Sequence, residues 1–420
     1  MTKRKRFMWP AMIGLSFTLM ACGPDRSGVL EQLQPEPATE ENKPDSLRVW
    51  VHDTETYLQA YKVIAEQFTE ETGIEVQLVP FGLFDQLEAM SLDAPSGRGP
   101  DLFFQPHDMT GNAYLQGVAA EIELTDEQKE GYIDGSLDAL SYNGVQVGIP
   151  ASVETYALMY NTDLIPEAPE TIEELEQIGE DLTDSSSDQY GFLLEAQNAF
   201  FAYPFLAAYG GYFFGEDQGV YDVDDLGISN QGTVQGTELI RSWYEKGYLP
   251  SNLNGDIMNG LFLQGNVGAV VSGPWSINEY RNALGENLRT APLPKINGDR
   301  LESFAGVKGW MVNEYSEHIN WAKELALYMT SKESSEIFFD YAKEIPARSD
   351  IDLEDEVYDA FIEQLEYATF MPNVPAVSAV WEPLGDALIF ISNGDDAEEV
   401  LVETQDMIED EIEIMGGGEE

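Results

Sequence analysis

Cysteine occurs once in these 420 residues, at Cys22, so no disulfide can form within the chain. Histidine is nearly as scarce: His52, His107 and His318 are scattered and offer no zinc-type cluster, so each reads as a hydrogen-bonded structural residue. Positive charge is short as well, with 21 Lys and Arg against 77 Asp and Glu and a formal net charge of −56. Such a field repels phosphate backbones, which excludes nucleic-acid binding. There is no nucleophile elbow and no phosphate-cradling loop. The one extended apolar run, Phe7 to Ala21, is shorter than the ~20 residues a membrane-spanning helix needs.

What is present describes a folded body. A hydrophobic share of 43% and an aromatic share of 11% supply packed cores and argue against wholesale disorder. The length fits about two domains of ~150 to 200 residues. Acidic side chains run along the whole chain, which reads as a solvated coat suited to saline or alkaline surroundings. Asp222, Asp224, Asp225 and Gly227 approach a calcium loop, but the spacing is off by one and no Glu follows where it is required. A solvated loop is expected there, and neither a metal site nor a cofactor.

At the amino terminus, Lys3, Arg4, Lys5 and Arg6 precede the short apolar run and its small-residue end. This is the pattern of a secretory signal over residues 1–21, removed on export. Leu19-Met20-Ala21-Cys22 resembles the lipobox of bacterial lipoproteins, which implies a lipid on Cys22 and attachment to a membrane through acyl chains alone. Residues 22–46, rich in Pro, Glu and polar residues, are expected to be a disordered acidic tether.

Beyond the tether, Leu47 to Val51 reads as a strand. Tyr57, Tyr61, Ile64, Ala65 and Phe68 recur at helical spacing before Gly73, and Ile74 to Pro80 alternates into a second strand. Strand, helix, strand is the opening of a parallel sheet. Gly99 to Phe104 gives another strand, with Gln105, Pro106, His107 and Asp108 beyond its carboxyl end, where open α/β sheets bind ligands. Strands over 145–150 and 158–160 bracket Glu154, a carboxylate among small and apolar residues that needs a partner, either a salt bridge or a ligand. The aromatics from Phe200 to Phe214 are expected to be mostly core. Val267 to Val271 ends in Gly273-Pro274-Trp275, a helix is expected over 320–342, Met371 to Pro375 leads to Trp381, and residues 395–413 read as an amphipathic closing helix.

Six stretches in this order resemble a known pattern: FTEETGIEVQ (68–77), GPDLFFQPHD (99–108), YNGVQVGIPASVETYALMYNTDLIP (142–166), PFLAAYGGYFF (204–214), VVSGPW (270–275) and MPNVPAVSAVW (371–381). The chain resembles the extracellular solute-binding proteins of bacterial ABC importers, maltose/maltodextrin-binding type. The resemblance implies an α/β, two-lobed periplasmic-binding-protein fold of type II. Lobe one would hold 47–152 and 309–348, lobe two 155–304 and 350–415, with crossings near 153, 306 and 348 and a ligand between the lobes. It implies stacking platforms at Trp275 and Trp381, with Phe200 where the family carries a stacking Tyr, and sugar-hydroxyl acceptors at Asp108 and Glu154.

The chain also departs from the pattern. Glu55 stands for a Lys, Gln105 for a Trp, Met109 for an Arg, Asn198 for a Glu, and Glu382 and Gly385 for a Tyr and an Arg. Glu55, Gln105, Met109 and Glu382 are therefore candidate contacts of altered chemistry. The implied function is capture of an α-glucan oligosaccharide and delivery to permease subunits with their ATPases, by a monomer without enzymatic activity on the outer face of the cell membrane. The alternatives are another oligosaccharide, a cationic solute held by Glu55, Asp108, Glu154 and Glu382, or a glycoside hydrolase using Asp108 and Glu154 as paired carboxylates.

Overall fold

A computed structural model describes residues 38, 39, 42–217 and 220–416. The expected signal segment, the lipid-bearing Cys22 and most of the tether lie outside the described residues.

Two sheets organise the body, built from strands β1 (Ser46–His52), β2 (Glu75–Phe81), β3 (Leu102–Pro106), β4 (Gly148–Glu154), β5 (Ala157–Asn161), β6 (Tyr190–Leu193), β7 (Val267–Ser272), β8 (Leu288–Ala291), β9 (Ser303–Val312), β10 (Ile345–Pro346) and β11 (Ala368–Phe370). The first sheet runs β10-β4-β9-β3-β1-β2, with β11 also paired to β9. The second runs β8-β5-β7-β6. Helices pack on both, giving two α/β lobes.

The opening unit shows why the sequence folds this way. In α1 (Glu55–Thr72), Tyr57, Ala60, Tyr61, Ile64, Ala65 and Phe68 form the buried stripe. Gly73 ends the helix in a left-handed conformation (φ 78°), where its N–H donates to the Thr69 carbonyl. The chain returns as β2, parallel to β1 with His52 level with Phe81, and β3 lies parallel on the other side of β1. The carboxyl ends of all three strands therefore share one edge.

Strand β9 lies at the centre of the first sheet. All ten residues are buried. Ser303–Ala305 pair with β11, Gly306–Met311 with β4, and Lys308–Val312 with β3. Register slips beside Lys308, which faces Ser152 while Gly309 faces Pro150, so Ala151 bulges out and accepts from the Ala347 N–H. Only Thr155 and Tyr156 separate β4 of the first sheet from β5 of the second. Both are tied to β9: Thr155 Oγ1 donates to the Phe304 carbonyl (2.8 Å), and the Tyr156 hydroxyl accepts from the Phe304 N–H (3.1 Å).

Three expectations change. Strand β3 runs on through Gln105 and Pro106, so only His107 and Asp108 follow its end. Residues 145–146 pair with 141–142 in a separate hairpin, and β4 starts at Gly148 and carries Glu154 as its last residue. The helix expected over 320–342 is two, α3 (Ile319–Met329) and α4 (Lys332–Ala342), because Ser331 breaks the run and caps α4 by accepting from the Ser334 N–H. Helix α2 (Ala199–Ala207) follows an Asn198 cap, and α5 (Ser378–Ser392) and α6 (Ala397–Ile414) close the chain.

Candidate ligand-binding site

Past the end of β3, a single helical turn (His107–Met109) carries Asp108. Its neighbour His107 fixes that turn. The His107 ring is fully buried, and Nδ1 accepts from the Val307 N–H (3.0 Å), so the proton sits on Nε2 and is donated to the Met371 carbonyl (2.9 Å). Burial pushes this imidazole down to about 4, which keeps it neutral. Asp108 is thereby held against the 371–375 segment, where Gly111 N–H also donates to the Asn373 carbonyl.

Asp108 is buried and its Oδ1 has no hydrogen-bond partner. Burial raises its carboxyl to about 6 and nearby Glu154 adds to the rise, while the backbone N–H groups of Asp108 and Met109 and the Trp381 indole pull the other way. The Trp381 Nε1 is likewise buried without a completed hydrogen bond. A buried carboxylate oxygen and a buried indole N–H thus stand near each other unspent, the condition that a hydroxyl able to donate and accept would relieve.

Glu154, at the end of β4, has a cationic partner that the sequence did not reveal. Lys308 Nζ lies 2.5 Å from Glu154 Oε2 and 3.1 Å from Glu344 Oε2. Burial alone would pull the ammonium down, but the two carboxylates outweigh it and hold Lys308 above its ordinary value. Burial also raises Glu154, against the pull of Lys308 and with the help of Glu344. The space for the Glu154 side chain comes from Gly306 opposite it: a Cβ there would meet Glu154 Cγ at 2.8 Å. The sequence signal was a lone Lys inside an otherwise uncharged strand, Ser303 to Val312.

The aromatic candidates fall around these groups. Trp275 follows Gly273-Pro274 on a short turn after β7, and its indole folds over Gly273 so that any Cβ at 273 would overlap the ring. It is 39% exposed, and Lys308 Nζ lies 5.7 Å from its centroid. Trp381, on α5, is half-buried and meets Phe213 and Phe304 edge-on at 5.3 and 6.1 Å. Phe200, on α2, lies 4.8 Å from Tyr156 and parallel to Phe304 at 6.3 Å.

Asp108, Glu154, Trp381 and Trp275 therefore gather in one cluster, joined by Lys308. The contacts of the remaining candidates run elsewhere. Glu55 is exposed at the start of α1 and accepts from Gln59, Gln105 is buried with its amide donated to the Leu83 carbonyl (3.4 Å), Met109 is half-buried against the core, and Glu382 is exposed on α5. Where a solvated loop was expected, Asp222 and Asp225 lie on the strand Val220–Leu226, which pairs with Phe214–Asp217; Asp225 accepts from the Tyr212 hydroxyl and Asp222 from the Asp224 N–H. A polar groove of about 380 Å³ bordered by Arg48, Asp101 and Ser316 opens near the amino ends of β1 and β3, away from Asp108.

Residues 63–363 match the family described as bacterial extracellular solute-binding protein. The chain belongs to that family. A galactooligosaccharide-binding protein of Bacillus subtilis is 31% identical over 92% of each chain. An extracellular solute-binding protein of Staphylococcus aureus, solved in complex with maltose, is 44% identical with a TM-score of 0.79, over 89% of this chain and 99% of the other. A cyclo/maltodextrin-binding protein complexed with maltotetraose is 36% identical with a TM-score of 0.82, over the same shares. The two-lobed α/β fold of this solute-binding protein matches theirs.

Proposed function

We infer that this solute-binding protein captures maltodextrin-type oligosaccharides outside the cell and delivers them to the permease of an ABC importer. The observation that carries the reading is the cluster itself: Asp108 beside Trp381, and Glu154 beside Lys308 under Trp275. A pyranose offers flat C–H faces to indole planes and a rim of hydroxyls to carboxylates. Lys308 also answers two of the carboxylates, which favours a neutral polyol over the cationic solute that an acidic cleft first suggests. The two solved relatives bound to maltose and maltotetraose support an α-glucan; the galactooligosaccharide-binding relative supports a second reading, a galactooligosaccharide.

In this reading lobe one comprises 47–152 and 309–348, lobe two 155–304 and 350–415, and closure on the sugar is hinge bending at the crossings. The protein works as a monomer with no chemistry of its own, released from a signal at 1–21 and anchored by lipid on Cys22. Titration calorimetry of the purified protein with maltotriose, a galactooligosaccharide and spermidine separates the ligands. Heat with maltotriose alone is expected. Heat with only one of the others replaces the reading, and release of glucose from maltotriose that Glu154→Gln abolishes would make the protein a hydrolase.

A further inference from the structure

We propose that Lys308 is the positioning residue of the sugar site: anchored by Glu344, it holds the Glu154 carboxylate with one oxygen engaged and the other presented to a ligand hydroxyl. The inference rests on the saccharide reading above and adds to it the device that fixes its acceptor.

The ammonium has three N–H groups, and three carboxylate oxygens surround it: Glu344 Oε1 at 3.3 Å, Glu344 Oε2 at 3.1 Å and Glu154 Oε2 at 2.5 Å. Lys308 is buried among these carboxylates and meets Glu154 Oε2 as an ion pair, so its part in the site is played through Glu154. Lys308 takes Glu154 Oε2, while Oε1 lies over Gly306 and the Glu154 side chain keeps 13% of its surface exposed. Lys308 can hold this geometry because its own strand is fixed on both sides, by β3 and β4, with the bulge at Ala151 beside it. The three members come from three separate segments, β4, β9 and the residue before β10, so local sequence alone could not assemble them.

The arrangement also sets the charge of the acceptor. The titratable groups around Glu154 and Lys308 are Glu344 before β10, His52 at the end of β1, Tyr57 on α1 and Asp108 after β3. None of these opposes burial in keeping Glu154 ionised; Lys308 does. With Lys308 replaced by a neutral side chain, Glu154 and Glu344 face each other as like charges, and the Glu154 titration moves further up.

The test is Lys308→Met, with maltotriose affinity measured by calorimetry at several values between about pH 7 and about pH 9, above the Asp108 titration near 6. In the wild-type protein Kd is expected to stay flat over that range. In a folded Lys308→Met variant Kd is expected to rise roughly tenfold and to vary with pH, as for the loss of one partner of a buried charge pair. An unchanged Kd overturns the proposal, as does a weaker Kd with a flat profile, since a loosened fold would give that too. Should Lys308→Met fail to fold, Glu344→Gln and Glu344→Asp decide: a Kd weakened about threefold or more by Gln and restored by Asp supports the role, with a flat profile because loss of Glu344 lowers Glu154 further, and a wild-type Kd in Glu344→Gln overturns it. A wild-type protein that binds no maltotriose defeats the ligand reading itself, whereas normal wild-type binding with an unaffected variant defeats only the role of Lys308.

Discussion

The chemistry concentrates in side chains that the fold leaves under tension. Asp108 shows this in its pH behaviour. Its ordinary carboxyl value of 3.8 is raised to about 6 in the folded chain, so between those values the native state holds more proton than the unfolded one. Stability contributed by this group therefore falls as pH rises from about 4 to about 6, and the full cost stands at neutral pH. Asp108→Asn removes the charge, so thermal melting at pH ~8 should show a gain on the order of 2 to 3 kcal/mol that is absent at pH ~4. The same change should weaken maltotriose binding, since the amide loses one of two acceptor oxygens. The indole platforms are tested separately: Trp275→Ala or Trp381→Ala should each weaken maltotriose by roughly 1 to 3 kcal/mol in calorimetry. No loss from either would remove them as platforms. That Asp108, Glu154, Trp275 and Trp381 belong together was suggested by the blocks that carry them, and their role as sugar contacts is part of the proposal. Lys308 showed only as a lone Lys in an uncharged run, and its pairing with Glu154 and Glu344 was not legible because an ion pair between distant segments leaves no local trace of its partners.

Elements with strong periodicity read well from sequence. The α1 stripe from Tyr57 to Phe68 and the Gly73 stop predicted the helix to within a few residues, and β1 and β2 followed. Strand β9 was hidden for a physical reason: Gly306, Gly309 and Lys308 interrupt its apolar run, and glycine weakens a strand signal taken alone. Pairing on both sides overrides the local preference. The same glycine makes a test at this scale. Gly306→Ala places a methyl against the Glu154 side chain, so maltotriose affinity should fall while far-UV circular dichroism stays unchanged. Helices α3 and α4 were merged because Ser331 looked like any polar residue in a run. Ser331→Ala should cost about 1 kcal/mol in a denaturant titration, as expected for a lost N-cap, without altering sugar affinity.

Across the whole molecule, composition governed what could be said early and position governed what could not. Two lobes were foreseeable from length and from the ordered blocks, but the pairing of β9 with β3, β4 and β11 within the first sheet depends on contacts between segments far apart in the chain. Net charge acts at this scale too. With −56 spread over the chain, self-repulsion opposes compaction and is screened by salt. Raising NaCl from about 0.01 M to about 1 M, which shortens the screening length from ~30 to ~3 Å, should raise the melting temperature; a flat or falling curve would show that the acidic surface imposes no such strain.

The Tyr156 phenol accepts from the Phe304 amide on one side and donates to the Phe200 carbonyl on the other, at 3.1 and 2.8 Å. It works as an axle pin: the aromatic shelf of α2 is bolted to the spot where the backbone passes from one sheet to the next. In the proposed hinge bending, rotation about that spot would swing Phe200 along a set arc instead of letting it drift, and shaving off a single oxygen in Tyr156→Phe would pull the pin from both bearings at once.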